Sequence, residues 1–237
     1  MLEFITQNFN FIVYLFEINA LIIGVCFLNK GTNKSTKIFV FYLGYIVFVE
    51  LVAFLLLYLK ELAFIDYLIE EGVTSISWFN LFWFYGGIMF TLFYYHSLLT
   101  YIMFKRILKI VAVLFSLIML SHFLIFSKSF FTAHSFLYQI SGLIVILICV
   151  TLYFIEFLNN ENVLNIFHSF SFYVALGLFS WWLIITPVTF FASYNTSADW
   201  DFANLKRRIF LFANIFMYTC FAAGFIISKS NTNNEIH

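Results

Sequence analysis

Read from its first residue, the chain alternates long apolar runs with short polar breaks. The runs fall at 9–28, 38–59, 79–104, 107–126, 135–157, 170–191 and 209–228. Each is close to the roughly 20 apolar residues that one helical crossing of a bilayer requires. A closed barrel is the other way to span lipid, but its strands alternate apolar and polar positions, and these runs are continuous. Continuous runs predict helices, because in hydrocarbon each backbone N–H and C=O must be satisfied within its own segment. The expected fold class is an all-α integral membrane protein, a bundle of about seven transmembrane helices with short loops. It forms a single domain over 1–229, followed by a polar, disordered tail at 230–237.

Two of the breaks carry a pattern of their own. Leu62, Phe64, Ile65, Leu68 and Ile69 recur at helical spacing opposite Glu61, Asp66 and Glu70, which predicts a short helix lying in the headgroup plane. Val163, Leu164, Ile166 and Phe167 repeat the arrangement. The longest polar stretch, 193–206, contains Asp199-Trp200-Asp201 and is expected to be an exposed outer loop.

Composition narrows the class. Only 10% of the chain is charged and 63% is hydrophobic, against about a quarter charged in a soluble domain, so a water-soluble fold is excluded. The 12 Lys and Arg balance the 12 Asp and Glu, which leaves no basic surface to release counterions from a nucleic acid. The lipid bilayer is the expected partner, and nucleic acid is not one. Cys26, Cys149 and Cys220 each sit inside an apolar run and read as small hydrophobes rather than disulfide or zinc partners. The N-terminus has no positive segment, and no small residue directly precedes Cys26, so the first run is expected to stay as a span.

The placement of charge sets the orientation. The first loop (Lys30, Lys34, Lys37) and the third (Lys105, Arg106, Lys109) are basic, whereas the second (Glu61, Asp66, Glu70, Glu71) is acidic apart from Lys60. Basic loops stay in the cytoplasm. The C-terminus is then cytoplasmic and the N-terminus outside, in a multi-pass protein of the inner (cytoplasmic) membrane. Lys206, Arg207 and Arg208 run against this arrangement.

An ionisable group at mid-bilayer costs a few kcal/mol, which makes each one a functional candidate. Glu17 lies near the middle of the first run and Glu50 near the middle of the second. Consecutive helices with a short loop usually pack side by side, so the two carboxyls are expected to meet at similar depth. A shared proton, or hydrogen bonds from Asn19, Tyr45 or His96, would offset their burial. With Tyr95 beside His96, these six residues form the candidate proton or ligand site. The functional reading is a proton relay, a cation site or a pH-sensitive latch; the structural reading is a pair of protonated carboxyls that join helices.

No metal site is expected, since His96, His122, His134 and His168 lack partners at ligand spacing. No nucleophile elbow or glycine-rich phosphate loop occurs, and the last run has no internal lysine for a Schiff base, so neither a cofactor nor an enzymatic reaction is expected. Pro187 is expected to kink the sixth helix, with Thr186 or Thr189 satisfying the backbone it frees. Gly86, Gly87, Gly142, Gly177 and Gly224 permit close helix approach.

The segments Phe48-Val-Glu-Leu-Val, Ile155-Glu-Phe-Leu-Asn-Asn-Glu-Asn-Val-Leu, Phe172-Tyr-Val-Ala-Leu-Gly-Leu and Ala222-Ala-Gly-Phe-Ile-Ile-Ser-Lys resemble a family of small seven-span membrane proteins of the Bacteroidetes, often encoded beside two-component sensor histidine kinases. The resemblance implies a membrane-embedded sensory or regulatory module acting through a cytoplasmic or membrane kinase partner. Two alternatives stay open. One is proton- or ion-coupled transport or conduction through Glu17 and Glu50, with an oligomeric, membrane-permeabilising defence effector as its variant. The other is an intramembrane lipid enzyme built on Tyr95, His96 and the two glutamates.

Overall fold

Seven helices in the computed structural model are long and apolar enough to cross a membrane, and no strand occurs among the described residues. Those residues are 8–28, 32–59, 66–67, 69, 73–132, 136–159, 163–192 and 200–234. The spanning helices are α1 (Phe9–Phe27), α2 (Lys34–Tyr58), α3 (Ser75–Leu98), α4 (Ile102–Ile125), α6 (Phe136–Leu158), α7 (Phe170–Ala192) and α8 (Trp200–Asn234). A short α5 (Ser127–Thr132) separates α4 from α6, and a 3-10 turn (Val163–His168) precedes α7. Large apolar side chains such as Phe11, Phe41, Leu124 and Ile125 point outward from these helices. That outward surface suits acyl chains, because lipid tails are as apolar as the side chains themselves. The chain is a multi-pass, all-helical membrane protein.

Several element ends depart from the sequence expectation. The third and fourth runs were expected to meet at Lys105 to Lys109, yet the break lies at Leu99 to Tyr101, whose backbone is extended at Leu99 and Tyr101. Lys105, Arg106 and Lys109 therefore occupy the first turns of α4. Lysine and arginine are good helix formers with long stems that reach for the headgroups. A basic cluster marks depth in the bilayer, not the end of a helix. For the same reason α2 begins at Lys34, and α8 runs through Lys206, Arg207 and Arg208 and on past Lys229 to Asn234. The helix expected over 62–69 lies almost wholly outside the described residues, as does the first half of the outer loop expected over 193–206, whose second half from Trp200 is instead the start of α8. Val163 to Phe167 does form a helical turn, of the 3-10 kind.

The chain divides into two compact units, one of Met1–Leu43 with Val150–His237, the other of Gly44–Cys149. In the first, α8 packs on both α7 and α1. Glycines set the closeness of these contacts: a methyl at Gly24 would lie 3.0 Å from the Phe225 ring, and one at Gly177 would lie 2.9 Å from Phe221. Phe39 stands edge-on to Phe221 (4.9 Å) and to Phe170 (5.4 Å), and Phe170 stacks on Phe225 at 4.4 Å. Such aromatic pairs add roughly 0.5–1.5 kcal/mol each beyond simple burial. One polar tie crosses the pair, Trp181 Nε1 donating to Asn214 Oδ1 at 3.0 Å, while Asn214 Nδ2 donates to the Phe210 carbonyl.

Pro187 does not interrupt α7, which stays helical from Phe170 to Ala192. The proline ring leaves the Leu183 carbonyl without its usual N–H donor. Thr186 and Thr189 were the expected substitutes, but they donate to Trp182 (2.7 Å) and Ile185 (2.9 Å), the carbonyls on either side of it. A threonine on a helix bonds to the carbonyl three or four residues back, so Thr186, three residues after Leu183, is the one placed to reach the freed carbonyl as well.

In the second unit α4 packs on α3, and α5 packs on the first turn of α3 and on α4. Thr74 caps α3: its Oγ accepts from Ser77 N (3.1 Å), and Ser77 Oγ accepts from Thr74 N (2.9 Å). This reciprocal pairing satisfies two of the backbone donors that a helix start leaves open.

Candidate functional site

The second unit contains a feature that hydropathy does not announce. Within α3, residues Phe79–Gly86 form a π-helix between the α-helical turns Ser75–Trp78 and Gly87–Leu98. π-Helical turns are rare, less stable than α-helix, and found mostly at functional sites. Eight consecutive residues in that state need support from outside the helix. Four side-chain hydrogen bonds supply it. Tyr45 Oη donates to the Phe82 carbonyl at 2.6 Å, and Trp78 Nε1 donates to the Val49 carbonyl at 2.9 Å, which ties the segment to α2. On another side Asn80 Nδ2 donates to the Phe130 carbonyl of α5 at 2.7 Å, and Thr74 Oγ donates to that of Phe131 at 3.2 Å. Gly86 completes the fit, because a Cβ there would strike the Tyr45 hydroxyl.

Between this segment, the C-terminal half of α4 and α5 lies a cavity of about 620 Å³. Trp78, Phe82, Tyr85, Phe123, Phe130 and Phe131 supply its aromatic wall, and none of the described lining residues is charged. The volume falls within the range of small-molecule sites, about 300–1,000 Å³. Polar groups are few: Tyr85 Oη lies 3.2 Å from Ser116 Oγ, and Ser116 Oγ donates to the Ala112 carbonyl at 2.8 Å. Asn80 is fully buried beside them in the lining.

The six residues expected to form one polar centre fall in both units. Glu17 is buried in α1, only 1% exposed, whereas Asn19, roughly 200° around the same helix, faces outward. Glu17 belongs to the first unit and Glu50 to the second, so neither unit by itself holds both carboxyls. Tyr45 and Val49 present one face of α2 to α3. Glu50, half-buried, is turned about 100° from that face. Tyr95 is fully buried and His96 half-buried, both near the far end of α3. From Phe82, where Tyr45 is bonded, they lie roughly 15–20 Å further along the helix.

Other residues in polar positions stand outside the six. Glu156 is buried in the first unit, and Asn80 and Gln139 are buried in the second. Asn214 links α7 to α8, and His122 Nδ1 lies 2.8 Å from the Tyr138 hydroxyl. A search for amides inside apolar runs would have found Asn80, Gln139 and Asn214, because interhelical hydrogen bonds in membranes are made largely by such neutral side chains. Among the described residues no three His, Cys, Asp or Glu side chains converge as metal ligands would. Compared with protein-family models, with curated proteins and with solved structures, the chain matches none.

Proposed function

We propose that this protein is a non-enzymatic sensory or regulatory module of the inner membrane. It responds at the π-helical segment of α3 and passes a helix shift to a partner protein such as a histidine kinase. The observation that carries this reading is the π-helix of Phe79–Gly86, stapled by Tyr45, Trp78 and Asn80 and bordering an uncharged cavity. A π-helix and an α-helix of the same residues differ by a change of hydrogen-bond register. Trading one for the other changes the segment's length and rotates and shifts everything beyond it, a two-state element of the kind that switching requires. In this reading the N-terminus is outside, and the basic first turns of α2 and α4 lie at the cytoplasmic face, where a partner would dock. Tagged protein extracted in mild detergent is expected to retain a kinase or other signalling protein, and to lose it when Lys105, Arg106 and Lys109 are changed together to glutamine. A clean preparation without an associated protein would remove the reading.

A second reading, proton- or ion-coupled transport, draws on the burial of two carboxyl-bearing residues, Glu17 and Glu156, within the first unit. Buried acids of this kind mark ion or proton paths in membrane proteins. It predicts a proton or cation flux in liposomes that falls at least about tenfold in Glu17→Gln, the loss of one stabilised charge step being on the order of 1.4 kcal/mol. Equal flux in wild type, variant and empty liposomes would dispose of it.

A further inference from the structure

We propose that the cavity bounded by α3, α4 and α5 binds a neutral, flat ring compound that carries one hydroxyl group. The inference rests on the sensory reading above and names the kind of molecule such a module would detect.

Three observations point to this chemistry. None of the described lining residues is charged, and an ion among them would lose its hydration with nothing there to replace it. The walls are rings set across one another: Phe130 and Phe131 stand at 84° with centroids 5.3 Å apart, and Phe123 meets Phe130 at 84° and 5.1 Å. Trp78 and Phe82, also in the lining, lie 4.1 Å apart with their rings tilted by 35°. Walls of crossed and tilted rings offer both edges and faces to a guest. A flat aromatic guest meets them in the offset and edge-to-face geometries that aromatic quadrupoles favour, which a saturated chain cannot do.

The polar handle is directional. Of the acceptors around Ser116 Oγ, the Ala112 carbonyl at 2.8 Å is nearer than Met89 Sδ at 3.9 Å, and with the serine proton on that carbonyl the 3.2 Å contact with Tyr85 Oη is donated by tyrosine. The phenol oxygen of Tyr85 then keeps its lone pairs for an incoming donor. A guest hydroxyl fills that role without charge, and a hydrogen bond of this type is worth about 1 kcal/mol net.

The test uses the full chain in nanodiscs of phosphatidylethanolamine and phosphatidylglycerol, with 4-hydroxybenzophenone as a photoreactive probe that has both rings and hydroxyl. Adducts are expected in peptides covering 78–85, 116–123 and 130–131. The competitor 4-phenylphenol, with rings and hydroxyl, is expected to suppress labelling about fivefold better than biphenyl, which lacks the hydroxyl, or dodecanol, which lacks the rings. Tyr85→Phe should bring 4-phenylphenol and biphenyl to parity. Leu120→Trp, at an exposed lining position, should fill the cavity and abolish labelling. Adducts spread over lipid-facing residues such as Phe48 and Leu124 would overturn the site. Equal competition by dodecanol would assign the cavity to an acyl chain and overturn the ring, and an undiminished hydroxyl preference in Tyr85→Phe would overturn the handle. Because labelling needs no partner protein, its failure is separable from failure of the co-purification experiment.

Discussion

Gly224→Leu is expected to destabilise the protein by about 3 kcal/mol, read as a lower midpoint in an SDS unfolding titration from mild-detergent micelles. A Cβ at this position would lie 2.8 Å from Tyr173 Cβ and 3.2 Å from the Phe170 ring. The first of these is the root of a side chain, fixed by the backbone of α7, and it cannot swing away. Phe170 is itself held by Phe39 and Phe225. Any larger residue therefore drives α7 and α8 apart, which opens the edge-on and stacked contacts of that cluster together. Gly177 sits in the reciprocal position on α7, its added Cβ meeting Phe221 at 2.9 Å and the Met217 carbonyl at 3.2 Å. Gly224→Ala and Gly177→Ala are each expected to cost about 1 kcal/mol, because the strain exceeds the gain in helix propensity, which is at most about 1 kcal/mol. Ile226→Ala, at an outward position on the same helix, should stay within about 0.5 kcal/mol of wild type. A Gly224→Leu protein as stable as Ile226→Ala would disprove the close packing of α7 on α8.

Gly86→Ala is expected to cost about 2–3 kcal/mol, and to be partly rescued by a second change that is itself destabilising. The new methyl would occupy the place of the Tyr45 hydroxyl, so the bond from Tyr45 to the Phe82 carbonyl breaks and the phenol loses its buried partner. Tyr45→Phe alone removes that bond without a clash and should cost about 1 kcal/mol. In the double variant the clash with the hydroxyl is gone and the nearest ring carbon, Cζ, stands 3.2 Å from the new Cβ, tight but accommodated by a small shift. The pair should then be more stable than Gly86→Ala by about 1 kcal/mol, a coupling of the size seen for residues in contact. Strict additivity of the two changes would mean that the tyrosine does not support the π-helix in this way.

The two substitutions differ in how far sequence alone pointed to them. Gly224 stood out as a small residue in an apolar run, and close approach is what small residues do in membranes. The partner it approaches could not be read, since Tyr173 and Phe170 are on another helix and look like any other aromatic of the sixth run. Gly86 stood out equally, but its reason is a hydroxyl on α2 and a helix type that no local propensity encodes. The expected polar centre fared similarly. That Glu17 is buried follows from the cost of a carboxyl in lipid. That Asn19 faces outward, and that Tyr45 is committed to the Phe82 carbonyl, depends on which side of each helix meets a neighbour.

What the sequence determined by itself is the number of crossings and the helical class, because run length and continuous apolarity are local properties that sum along the chain. The tertiary structure decided which face of each helix turns inward. In water a polar stripe reveals that choice, but in lipid both faces are apolar and the pattern carries no such mark. Only side chains brought together from distant runs, Tyr45 with Phe82 and Asn80 with Phe130, hold the π-helix and its cavity in place.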